Sequence, residues 1–314
     1  MPARPTLRQI DYLVAVAETG SIALAAARLN VSAPTISAAI AQLEEGLGLA
    51  LFARRHAQGM TPTAAGRQIL EAARQVQLAV EALQDRALDL AGGVRGPLAV
   101  GCLLTFAQVV LPGLRRGFAA RAPEVRVAQS EADHAGLIAG LRQGVLDVAL
   151  SYALEIPPDL VFEPLLALAP HALLPEDHAL AGRERVSAAD LAPHPMILLD
   201  LPYSAAYFLE LFTAEGVAPR IAERTRDMGV MRAMVANGFG FSIANIGLGS
   251  DRAPDGRRLC VVPLRTPVAP MRMGLMLPGA APRRAAVAAF AAHCHATLTA
   301  ASLPGLAAPA GEGA

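Results

Sequence analysis

Apolar and polar positions fall into three successive patterns along the 314-residue chain. Residues 21–48 read as two short helices joined by a tight turn. Ser21 is placed to cap the first, in which Leu24, Ala25 and Leu29 recur at helical spacing. Asn30 and Val31 make the turn. Ser32 caps a second helix with Pro34 in its first turn, where a missing N–H costs nothing. Ile36, Ile40, Leu43 and Leu47 predict its buried face, and Ala33, Thr35, Ser37, Ala38 and Gln42 an open face that is small or hydrogen-bonding. A second pattern opens at Thr63 and stays helical up to Gly92 and Gly93. Ile69, Ala73, Val76, Val80, Leu83, Ala87 and Leu90 alternate spacings of four and three, an a/d heptad seam flanked by Glu71, Arg74, Glu81, Asp85 and Arg86. From Arg95 a third pattern alternates strand and helix. Strands are expected over 97–100, 125–129 and 145–151, with helices over 105–118 and 136–143. That alternation predicts a parallel sheet with crossover helices.

A helix buried on one side and small and polar on the other fits a major groove, so 21–48 reads as a helix-turn-helix, against the alternative of an ordinary helical hairpin. Leu49, Leu51 and Phe52, then Arg54 and Arg55, then a turn at Ala57, Gln58 and Gly59, predict a basic hairpin beside it, a wing placed to touch phosphates. The heptad seam predicts pairing of two chains, against the alternative of one amphipathic helix packed on its own domain.

These residues, in this order, resemble the LysR-type transcriptional regulators. The match runs through Ala15-Val16-Ala17-Glu18, Gly20-Ser21, Ala25-Ala26 with Leu29, and Val31-Ser32 with Pro34. It continues through Ser37, Ile40, Leu43-Glu44, Leu47-Gly48, Leu51-Phe52 with Arg54, and Thr63 with Ala65-Gly66. A looser match follows in PLAVGCLLTFAQVVLPGLRRGF, PEVRV, LRQGVLDVAL, PEDHALA and ANGFGFSIA, and extends to about Thr299. The resemblance implies a multidomain α+β chain with a winged helix-turn-helix over 1–66 and a linker helix over 67–93. Over 94–302 it implies an effector-binding α/β domain of two lobes, similar to periplasmic binding proteins. Lobe I then holds 94–163 and 272–302, lobe II holds 164–271, crossing strands lie near Glu163 and Arg272, and 303–314 form a frayed tail. It further implies a dimer or dimer of dimers on an interrupted inverted repeat of double-stranded DNA, a small-molecule effector, and contact with RNA polymerase if the protein activates. Two departures stand out. Ala33 and Ala38 replace the long Gln and Arg side chains that the family often carries, which shifts base reading toward apolar contact and DNA shape. Asn245-Ile246 replaces the usual Leu-Pro after the glycine-rich turn.

Sites in such folds lie at the carboxyl ends of strands, where helix N-termini face the crevice. The candidates are Cys102, Thr105 and Phe106 after the first strand, Tyr203 and Ser204 after the MILL strand, Met228 before the helix over 230–237, and His134 and Asn245. Thr105 and Ser204 are read as helix caps whose free N–H groups would hold an anionic head group.

Composition narrows the field. Lysine is absent and every fixed positive charge is an arginine, 27 against 27 acidic residues. Within 1–66 five arginines face four carboxylates, so DNA affinity must rest on placed arginines, helix N-termini and dimerisation. No apolar run reaches about eighteen residues, and Asp11 and Glu18 break the N-terminal apolar stretch, so neither a membrane span nor a signal peptide is expected and the cytoplasm is. Cys102, Cys260 and Cys294 form neither a disulfide framework nor a zinc spacing, and no cofactor is expected. His293-Cys294-His295 points in different directions on one helix, a poor metal site. GFGFSIANIG is no nucleophile elbow, because glycines do not flank Ser242 at the required spacing, so no enzyme is expected. The competing functions are a thiol switch at Cys102 and a stand-alone solute-binding protein.

Overall fold

Thr6 starts the first helix, α1 (Leu7–Thr19), through a reciprocal cap in which its hydroxyl accepts from Gln9 N and its own N–H reaches Gln9 Oε1. Next come α2 (Ile22–Leu29) and α3 (Ala33–Leu47), capped by Ser21 and Ser32, with Asn30 in the left-handed conformation at the turn (φ 54°). The wing is β1 (Phe52–Arg55) paired antiparallel with β2 (Gly59–Pro62), and α4 (Ala64–Leu90) follows. In this computed structural model residues 4–55, 59–90, 93–279 and 283–299 are described, and the chain divides into one unit ending at Gly92 and another beginning at Gly93. The predicted turn residues Ala57 and Gln58, the side chains of Arg54, Arg55 and Leu90, and the 303–314 tail lie outside the described residues.

In the first unit, α1 to α3 close over Leu13, Val16, Ala25, Ala26, Ile36, Ile40, Leu43 and Leu51. Leu24 departs from expectation and is exposed. Ala25 and Ala26 carry the buried face of α2 instead, because small side chains let three short helices approach closely. The heptad seam also divides. Leu70 and Ala73 are buried in this unit's own core, with Ile69 half-buried beside them, and Gln77 Nε2 donates to Asp11 Oδ1 at 2.8 Å. Ala73 is therefore not free for a partner chain, since the first turns of α4 finish the core under α1. Further along, Val76, Leu83 and Ala87 are exposed and Val80 is half-buried. Gly66 permits the start of α4 to pass the wing: a Cβ there would stand 2.0 Å from Leu51 O.

The second unit begins with β3 (Gly96–Leu103), α5 (Leu104–Arg121), β4 (Val125–Ala132), α6 (His134–Arg142) and β5 (Val148–Tyr152). The chain then crosses on β6 (Leu160–Leu168) into β7 (His171–Pro175), β8 (Val186–Ser187), α7 (Ala188–Leu191), β9 (Pro195–Leu199), α8 (Ser204–Thr213), β10 (Arg220–Thr225), α9 (Met228–Ala236), β11 (Ser242–Ala244) and β12 (Leu259–Arg265). It returns on β13 (Met271–Pro278) and ends in α10 (Ala285–Thr297). The expected parallel sheet is found only in part. Lobe I has the order β4-β3-β5-β13-β6, with β3 parallel to both neighbours but β13 antiparallel to β5 and β6. A strand coming back from the other lobe must run against the strand that left. Lobe II combines a β11-β7-β12-β8 sheet, antiparallel around β7, with a parallel β9–β10 pair joined through a Met196–Phe241 bridge.

Candidate functional site

Helix α3 places its surface by periodicity. Ile36, Ile40 and Leu43 are buried, and Ser32, Pro34, Thr35, Ala38 and Gln42 are exposed on one continuous strip. The Ser32 and Thr35 hydroxyls lie 2.7 Å apart and hold each other at the helix start, while Thr35 N also donates to Ser32 Oγ. Ala33 and Ser37 are not on the open strip. They are half-buried and, with Ile22, Pro34, Gly59 and Met60, line a shallow depression between the two short helices and the wing.

Sequence reading passed over Glu44 as a structural device. Its Oε1 accepts from Leu51 N at 2.7 Å and Phe52 N at 3.1 Å, tying the reading helix to the first wing strand. From the other side Met60 N donates to Gly20 O at 2.8 Å. The wing that carries Arg54 and Arg55 is thus fixed to α3 by a charge-assisted pair of bonds. Glu44→Ala should destabilise the first unit by about 1–3 kcal/mol, because two backbone donors lose their acceptor. Chemical denaturation of the full chain checks this, and faster amide exchange should appear at Leu51 and Phe52 first.

In the second unit the strand ends meet between the lobes, but not as the sequence suggests. Thr105 caps nothing: α5 starts one residue earlier, with Leu103 at the cap position and no side-chain bond. Ser204 is the first residue of α8, and Tyr203 before it takes φ 68°, again without a cap bond. A tyrosine in that region is strained by about 1–3 kcal/mol and is held there by its surroundings. Its ring meets His134 of lobe I edge to face, centroids 5.0 Å apart. His134 is committed at both nitrogens, Nε2 to Leu154 O at 2.8 Å and Nδ1 to Ser151 Oγ at 2.7 Å. A carbonyl only accepts, so Nε2 carries the proton and Nδ1 of the neutral ring accepts from Ser151. Burial lowers the His134 pKa, against the pull of that carbonyl and of Asp133 and Glu155.

Cys102, Phe106 and Met228 prove to be core residues rather than walls of the crevice. Cys102 and Phe106 are fully buried in lobe I, Phe106 edge-on to Tyr152 at 4.6 Å, and Met228 packs in lobe II below its cap residue Asp227. Residues at the last inward position of a buried strand or the first turn of its helix are covered by both neighbours. Burial, with Glu131 and Cys294 nearby, pushes the Cys102 thiol far up, and burial raises Cys294 to about 12. A buried thiol held protonated is a poor nucleophile, which disfavours the thiol switch. His293 Nε2 donates to Leu114 O at 3.1 Å, leaving Nδ1 of the neutral ring to accept from the Thr297 hydroxyl at 3.3 Å, while His295 faces Glu163, so the two histidines diverge.

The end of β5 holds what the sequence reading missed. Ser151 and Tyr152 are the last two residues of β5, and that strand's carboxyl end was the available signal. Thr105 Oγ1 is buried without a well-aligned hydrogen bond, its polar contact with the Tyr152 phenol being close enough to pull that group's pKa down against burial. On the lobe II side, Asn245 Nδ2 donates to Leu168 O at 2.9 Å but its Oδ1 is likewise unpartnered, beside the Tyr207 phenol. Tyr207 in turn donates to Ala269 O at 3.3 Å. Burial raises both phenols, against the contacts with Thr105 and Asn245 that lower them, so both stay protonated. Thr105, Tyr152, Tyr207 and Asn245 therefore form one polar cluster where the lobes meet.

A winged helix-turn-helix followed by a long helix and a two-lobed α/β domain with a polar crevice defines a ligand-binding DNA regulator. Residues 7–67 match the helix-turn-helix of the lysR family of bacterial regulatory proteins, and residues 91–299 match the LysR substrate binding domain. The chain belongs to the LysR family of transcriptional regulators. It is 30% identical to the transcriptional activator protein LysR of Escherichia coli over 94% of each chain. It is 29% identical to the hydrogen peroxide-inducible genes activator of Dickeya chrysanthemi over 83% of this chain and 85% of that protein. It also resembles the crystal structure of HinK, a LysR family regulator from Pseudomonas aeruginosa, with a TM-score of 0.64, 34% identity, and coverage of 94% of this chain and 99% of that one. No helix among the described residues is long and apolar enough to cross a membrane.

Proposed function

We propose that this regulator senses a small polar or anionic molecule held between its lobes, without catalysis, as a cytoplasmic dimer or dimer of dimers on an interrupted inverted repeat. As an activator it would also touch RNA polymerase. The observation that carries the effector site is the pair of buried, unpartnered oxygens, Thr105 Oγ1 from lobe I and Asn245 Oδ1 from lobe II. Leaving such atoms unpaired costs about 1–3 kcal/mol each, which a ligand or its water would recover. Non-catalytic action fits the commitment of Ser242, whose hydroxyl donates to Ile197 O at 2.7 Å. Ser204, Tyr203 and His134 are retained as the rim of this site, whereas Cys102, Phe106 and Met228 support it from within the core.

Genomic fragments retained by the purified protein would reveal neighbouring genes, and their substrates supply the panel of molecules to test. Against the molecule from that panel that alters operator binding, Thr105→Val should need about 3- to 100-fold higher concentration for half-maximal response, as one hydrogen bond to a neutral or charged group is lost. The same variant should melt at or above the parent temperature, because it removes an unpaired buried hydroxyl. An unchanged response from a folded variant would place the effector elsewhere.

A further inference from the structure

Lobe II carries a concentration of charge that shares no residue with the crevice cluster. Arg183, Arg185 and Arg265 line one open pocket of about 440 Å³, with Glu184, Ser187 and Asp190. The topology brings them together. Arg183 and Arg185 alternate in the segment entering β8, and Arg265 ends β12, whose parallel pairing with β8 sets Arg265 opposite Ser187.

The carboxylates offset only part of this charge. Asp190 is locked in the cap of α7, accepting from Ser187 N at 2.9 Å and Ser187 Oγ at 2.8 Å, and those bonds, followed by the charges of Arg183 and Arg265, hold its pKa down. Arg183 reaches it only at 3.4 Å. Among the described residues neither Arg185 nor Arg265 enters an ion pair or a side-chain hydrogen bond. Three guanidinium groups against two carboxylates leave a local positive excess in a chain whose formal net charge is zero. Planar guanidinium forks match tetrahedral oxyanions bidentately, and several converging on one space suit a doubly charged anion better than chloride.

We propose that this pocket is a second ligand site, specific for phosphate-class oxyanions: inorganic phosphate or the head of a phosphomonoester. It is independent of the crevice reading, since no residue is common to both.

Calorimetric titration of the full-length protein, free of DNA and in low salt, tests it with inorganic phosphate in one arm and glucose 6-phosphate in another. Saturable binding is expected, with the tighter arm telling free phosphate from a phosphorylated metabolite. Arg185→Gln with Arg265→Gln should weaken it at least about tenfold at unchanged melting temperature, and Arg185→Gln alone, which alters no strand, should weaken it in the same direction. Arg54→Ala with Arg55→Ala, in the DNA-binding unit, should leave it within about twofold. Absence of saturable binding in both arms, or loss in the wing variant with none in the pocket variants, overturns the proposal.

Discussion

Leu83→Asp should give a folded chain that sediments as a monomer and no longer holds operator DNA. Leu83 is 71% exposed in the single chain, the most exposed of the described large apolar side chains. It lies on α4 beyond the turns that Leu70 and Ala73 anchor in the first unit's core, in line with the exposed Val76 and the half-buried Val80. An aspartate there meets water in the monomer and costs folding little. In a paired seam it would be desolvated, at roughly 3 kcal/mol or more for each chain. Two reading helices that lose their common frame lose the two half-sites together. Sedimentation velocity and circular dichroism on the same sample check both halves of the expectation. A variant that remains dimeric would show that α4 is not the interface.

Removing the wing arginines should weaken specific and non-specific DNA alike. The first 66 residues carry five arginines and no lysine, so Arg54→Ala with Arg55→Ala deletes two of the five positive side chains. Each phosphate contact contributes close to one unit of slope in log affinity against log salt, so the slope should flatten by about one to two units. The backbone pairing of Arg54 with Met60 and Arg55 with Gly59 holds the wing in register, so the loss should be electrostatic rather than structural. Arg28 makes a useful control, because it is already paired with Glu18 at 2.5 Å and its removal should change the slope less. Equal slopes for parent and double variant would exclude the wing from phosphate contact.

What the sequence determined by itself was whatever depends on local periodicity and local hydrogen bonds. Ser21, Ser32 and Thr63 do accept from backbone N–H groups at helix starts, Asn30 takes the left-handed turn, and Ile36, Ile40 and Leu43 are buried where their spacing puts them. Strands do run through Glu163 and Arg272, as β6 and β13. Tertiary structure decided everything that depends on which neighbour covers a given atom. It moved Ala73 from the seam into a core, exposed Leu24, and took the capping role from Thr105 and Ser204, because the cap positions lie two residues and one residue earlier than the sequence pattern put them. It buried Cys102 and Phe106 in the core of the second unit, and it brought Thr105 and Asn245 together through two tyrosines from distant parts of the chain. It also turned Glu44, unremarkable as one of two adjacent acids, into the bond between the reading helix and the wing. Periodicity encodes the face a residue occupies on its own element. Only the packing of elements far apart in sequence determines whether that face meets solvent, apolar core or an unpartnered polar group.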